Sequence, residues 1–136
     1  MTFPSDIKGA MRECVLKLLW PKDDIVAFFS NNGCTSRDIK TLGNHKEFSR
    51  AKIVDLMFDH LSSKPDEGLG QFRAMLQSLI KWNHFDSYYF EKLKKLSKDE
   101  ARRAIDHLKH LQEIRDHTIH EQSLVLISRF LCLSRA

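Results

Sequence analysis

Glycine and proline are scarce in this chain, five and three in 136 residues, so few positions break a helix. Cysteine is scarce too. Cys14, Cys34 and Cys132 are odd in number, widely spaced and without a C-x-x-C pair. That argues against a disulfide framework and against a Cys-rich zinc site. Long apolar runs are missing: the longest, Leu124 to Leu133, is interrupted by Ser128 and Arg129. It falls well short of the ~20 residues a membrane span needs. The opening "MTFPSDIKGAMREC" carries charges where a secretory segment would be apolar, so a cytoplasmic location is expected. Charge of one sign is lacking as well. Lys and Arg number 22 against 18 Asp and Glu, and the resulting +4 is too small to specify a nucleic-acid surface by itself. G-x-G-x-x-G, a P-loop, G-x-S-x-G and H-E-x-x-H are all absent, so no cofactor is expected.

What is present is helical periodicity. In "SDIKGAMRECVLKLLWP", Ile7, Met11, Cys14, Val15, Leu18 and Leu19 recur at intervals of three and four, with Ser5 as N-cap and Pro21 as stop. "KDDIVAFFSNNG" follows, with Asn32–Gly33 as a left-handed exit. Thr35 and Asp38 stand at capping-box spacing, and Gly43 ends that turn. Ser49 opens a stripe of Ile53, Val54, Met57, Phe58 and Leu61, closed by the loop "SKPDEGLG". Phe72, Met75, Leu76, Leu79 and Ile80 mark a central helix, and "DSYYFEKLKKL" a short aromatic segment. Ser97 and Glu100 form a second capping-box pair, ahead of Ala101, Ala104, Ile105, Leu108 and Leu111.

These spacings predict one all-α domain over 1–136, a bundle of six or seven helices. Its arrangement is either up-and-down or like death-fold and CARD domains. The core is expected to hold Ile7, Val15, Leu18, Phe28, Ile53, Met57, Phe72, Leu76, Leu79, Ile105 and Leu108. Residues 121–136 form an apolar C-terminal helix or tail. A helix unbroken from Lys98 to Leu133 is about 54 Å long, against an expected radius of gyration near 14 Å. A break near Thr118–Gln122 is therefore expected, with the tail folding back or crossing to a second copy.

Three constellations carry chemistry. "RDHTIH" places Arg115 and His120 five apart, and it resembles the Arg–His signature of HEPN-family ribonucleases. That resemblance implies metal-free RNA cleavage, with His120 as general base or acid and Arg115 stabilising phosphate charge. On a continuous helix the two project roughly 140° apart, so a break or a partner chain must bring them together. The competing reading makes Arg115 the end of a packed stripe and His120 a solvated residue. His107, His110, His117 and His120 suggest a metal cluster, but His110 and His117 lie roughly 10 Å apart along a helix, so no metal site is assigned. Lys92, Lys94, Lys95, Arg102 and Arg103 are candidate nucleic-acid contacts, with Tyr88, Tyr89 and Phe90 just upstream. Glu91, Asp99, Glu100 and Asp106 are interleaved there, as on a solvated face.

Residues 10 to about 116 carry a broader likeness. "LKLLWPKDDIVAFFSNNGC", "FSRAKIVDLMFDHLSSKPDEGLGQFRAMLQSLIKW", "HFDSYYFEKLKKL" and "HLKHLQEIRD" resemble the N-terminal helical domain of bacterial restriction-endonuclease-like, defence-type proteins. The strings are packing patterns, and the nuclease signature of that family is Pro-Asp followed by Asp/Glu-x-Lys. Pro65–Asp66 is followed by no such triplet, so no catalytic residue carries over. The likeness implies a free-standing helical module, of the kind a mobile element or gene cassette carries. The reading that follows is a non-enzymatic interaction module, binding a protein partner or its own copy through the C-terminal apolar segment. A metal-independent ribonuclease and a nucleic-acid-binding domain are the alternatives.

Overall fold

The computed structural model describes residues 3–134, with side chains through His117. Seven α-helices and one 3-10 turn follow in order: α1 Ser5–Leu18, α2 Lys22–Asn31, α3 Ser36–Lys40, the 3-10 turn His45–Glu47, α4 Arg50–Ser62, α5 Leu69–Ile80, α6 Tyr88–Glu91 and α7 Lys98–Ser134. No strand occurs among the described residues. The fold is all-α, as the periodicity predicts.

Local chemistry explains most boundaries. Proline stands just before α1 and α2, at Pro4 and Pro21, where its fixed φ suits a helix entrance and the missing N–H costs nothing. Ser5, expected as a cap, is instead the first helical residue of α1. At α3 the capping box is complete: the Asp38 N–H donates to Thr35 Oγ1 at 3.2 Å, and the Thr35 N–H donates to Asp38 Oδ2 at 2.9 Å. The second pair is only half made. Ser97 Oγ accepts from the Glu100 N–H at 3.3 Å, while the Glu100 carboxylate takes a hydrogen bond from Lys17 of α1 at 3.0 Å. Gly68 opens α5 at φ +70, and an added Cβ would stand 2.8 Å from Leu61 Cβ. Only glycine combines that left-handed backbone with so close an approach to α4.

The first helix lies along the last: α1 packs on α7 and also meets α4 and α5, while α2, α3 and α4 pack among themselves. Between them runs a chain of rings. Phe3 stacks on Phe72 at 5.5 Å, Phe72 meets Phe58 edge-on at 5.2 Å, and Phe58 meets Phe29 at 6.4 Å. Ten of the eleven expected core residues are buried. The exception is Phe28, which is half-buried; Phe29 takes the interior place. Ile25 and Phe29, one turn apart, form the buried face of α2 and leave Phe28 at its margin.

The expected break near Thr118–Gln122 is absent. The backbone of α7 runs unbroken for 37 residues, Lys98–Ser134, about 55 Å at 1.5 Å per residue. Compactness argued for a turn, but local chemistry prevails. From Lys98 onward the sequence holds neither glycine nor proline, so nothing in the backbone interrupts the helix.

Candidate functional sites along the last helix

Arg115 lies on a cleft of about 470 Å³ where α1, α5 and α7 converge. Phe3, Ile7, Leu69 and Leu76 give it an apolar floor, and Gln77, Gln112 and Asp116 a polar rim. A second guanidinium, Arg73 of α5, lines the same cleft. Among the described residues neither arginine forms an ion pair. Two such donors at one mouth suit an anionic group of the carboxylate or phosphate kind. His120, which the sequence reading pairs with Arg115, lies outside the described side chains. Arg73 is an addition from the structure. The sequence signals it only as an arginine beside the Phe72 core stripe, and nothing local marks it as sharing a cleft with Arg115.

The basic segment divides among several neighbours. Lys95 lies over the Trp20 ring, 5.7 Å from its centroid, and Trp20 also carries Arg50 at 4.6 Å. Lys92, Lys94 and Arg103 are exposed, with Lys94 at φ +52 in the connection between α6 and α7. Lys98 is drawn to Glu91. Arg102 is placed differently. Its guanidinium covers Phe85 at 4.9 Å, and it lines a notch of about 170 Å³ with Trp82, Ile105, Asp106 and Lys109. Arg102, Asp106 and Lys109 share one face of α7 because they stand four and three residues apart. Trp82 meets Phe85 at 5.0 Å and Phe90 at 5.6 Å, which fixes the aromatic wall. The sequence points to the aromatics at Tyr88–Phe90; the rings that meet Arg102 come from the α5–α6 connection instead.

Among the described residues no three His, Cys, Asp or Glu converge as metal ligands, and no helix there is long and apolar enough to cross a membrane. Cys14 and Cys34 are free and buried. Burial pushes the Cys14 thiol up to about 12 and the Cys34 thiol up to about 11, so both stay protonated near neutral pH and are poor nucleophiles. The other conspicuous cluster is Asp38 with His60 at 2.8 Å and Lys64 at 3.2 Å. Its carboxyl is nearly inaccessible and already holds the α3 capping box. That carboxylate fastens α3 to the end of α4, which is a structural duty.

The chain matches no protein-family model, no curated protein and no solved structure.

Proposed function

We propose that the chain is a non-enzymatic helical interaction module that pairs with a second copy of itself through the distal part of α7. One observation carries this reading. Ala101, Ile105 and Leu108 are buried, Leu111 and Gln112 are half-buried, and every residue from Glu113 to His117 is exposed. The helix therefore leaves the core near Gln112, yet it continues to Ser134. The string Leu124–Leu133 begins roughly 20 Å further along the axis than Leu111. In that string Leu124, Val125, Leu126, Ile127, Phe130 and Leu131 occupy positions spread around most of a helical wheel. An apolar helix of that length needs a cover, and a twin helix provides one at the cost of no new sequence.

Under this reading the module corresponds to the helical domain of defence-type, restriction-endonuclease-like proteins and works in a reducing cytoplasm, where the two buried thiols persist. Light scattering on the full chain tests it. A dimer at micromolar concentration is expected. A chain ending after His117 is expected to be monomeric with its helical circular dichroism per residue retained, because the core is complete before that point. A monomeric full chain rejects the pairing.

A second reading draws on the two arginines of the α1–α5–α7 cleft. Arg73 and Arg115 together suit a phosphodiester, which favours the metal-independent ribonuclease with His120 as acid or base. RNA cleavage in EDTA, abolished by Arg115→Ala and by His120→Ala, is its signature; intact RNA at high enzyme concentration rejects it.

A further inference from the structure

We infer that the notch between the α5–α6 connection and the first turns of α7 binds single-stranded nucleic acid, stacking one base on Trp82 beside Phe85 and holding the adjoining phosphates on Arg102 and Lys109. Between Lys81 and His110 stand eight Lys and Arg against five Asp and Glu, so thirty residues hold three of the chain's four net positive charges. Two of those acids are already engaged, Glu91 with Lys98 and Glu100 with Lys17. Lys92, Lys94, Arg102, Arg103 and Lys109 form no ion pair among the described residues. Like charges left unpaired on one region raise its potential for a polyanion.

Geometry narrows the polyanion. Arg102 is held over the Phe85 ring at 4.9 Å, so its orientation is set by stacking while its N–H fork is left for an acceptor. Trp82 and Phe85 are both only partly buried, and they meet perpendicularly at 5.0 Å. Arg102 covers a face of Phe85, and His84 and Phe90 also meet the Trp82 ring, at 5.5 and 5.6 Å. The half-buried indole of Trp82 is therefore the ring left to take a planar base at the notch, with Phe85 beside it. Asp106 is the residue that discriminates. Standing between Arg102 and Lys109, it repels a bare anion such as phosphate or sulfated sugar. A nucleotide, in contrast, brings amino or imino donors on its base edge, which a carboxylate accepts, together with a phosphate for the cations. The base must be out of a duplex to present both its face and its edge, so the single strand is the form selected.

Fluorescence anisotropy with labelled oligonucleotides of about ten nucleotides tests the inference on the full chain. Single-stranded RNA or DNA is expected to bind more tightly than the duplex of equal length and to resist competition by heparin. Trp82→Leu is expected to weaken single-strand binding roughly 5- to 150-fold, the range one stacked base contributes. Lys109→Glu and Arg103→Glu alter exposed side chains and leave the core untouched. They are expected to lower affinity and to flatten the salt dependence by about 0.7 in log–log slope for each phosphate no longer neutralised. No measurable binding in low salt overturns the inference. So does binding in which duplex or heparin competes equally and Trp82→Leu changes nothing, since that describes a mere polyanion surface.

Discussion

The imidazole of His60, near the end of α4, lies 2.8 Å from the carboxylate of Asp38, the third residue of α3. Lys64, two residues beyond α4, reaches the same carboxylate at 3.2 Å. One nearly inaccessible acid thus serves the cap of a five-residue helix and two cationic or donor groups, one near the end of α4 and one just past it. A helix that short has no stability of its own, so α3 stands or falls with that acid.

Replacing Asp38 by Ala is therefore expected to cost roughly 2–3 kcal/mol, the sum of a lost cap and lost charge-assisted hydrogen bonds. Urea unfolding measures it. A change below about 0.5 kcal/mol, the level of an ordinary surface substitution, contradicts the assignment.

The same acid sets a pH dependence. Burial pushes its pKa up, but the Thr35 N–H, His60 and Lys64 outweigh burial and hold it well below the usual carboxylate range. A group with a depressed folded-state pKa contributes stability that is fully present above its unfolded value, about 4. That contribution is lost as pH falls from there through the folded-state value. The urea midpoint of the wild type is expected to drop more steeply below pH 4 than that of Asp38→Asn. Parallel acid profiles reject the linkage.

Gly68 and Gly9 should respond to alanine with opposite signs. At Gly68 the backbone is left-handed and a Cβ meets Leu61 at 2.8 Å, with the Leu61 carbonyl oxygen at 2.9 Å. Gly68→Ala is expected to lose more than about 1 kcal/mol, because the strain and the α4–α5 approach add. Gly9 lies inside α1, exposed, with nothing within 4 Å of the place a methyl group would take. Gly9→Ala is expected to gain about 0.5–1 kcal/mol from helix propensity alone. Thermal melts of the two variants read out both signs.

How much of this was legible in the sequence follows from chain separation. The Thr35–Asp38 box was readable because both partners sit within one turn, where spacing fixes their meeting. The His60 and Lys64 interactions span 22 and 26 residues, and no local rule reaches that far. Phe28 and Phe29 satisfy the same amphipathic count on α2, and only the placement of α4 decides which one is interior. Arg73 and Arg115 share a cleft built by three helices, so their meeting is a tertiary fact. The course of α7 is the instructive reversal. Compactness predicts a turn, while the local absence of glycine and proline in the same residues describes the helix that forms.

Arg50 provides the last test, because its burial cuts both ways. Its guanidinium donates to the carbonyl oxygens of Leu16 and Leu19, two acceptors left over where α1 ends, and stacks on Trp20 at 4.6 Å. Burial pulls its pKa below the usual arginine value, and its Nε lies buried without a hydrogen-bond partner. If closing the end of α1 dominates, Arg50→Lys loses the fork and keeps one donor, at about 1 kcal/mol, and Arg50→Met leaves both carbonyls unmet, at about 2 kcal/mol or more. If the cost of desolvating the guanidinium dominates, Met, which packs on the indole without a charge, matches or exceeds the wild type. Because two hydrogen bonds and one ring contact stand against a single orphaned N–H, the first order is expected: wild type, then Lys, then Met. Urea midpoints of the three proteins decide it, and a Met variant as stable as the wild type reverses the conclusion.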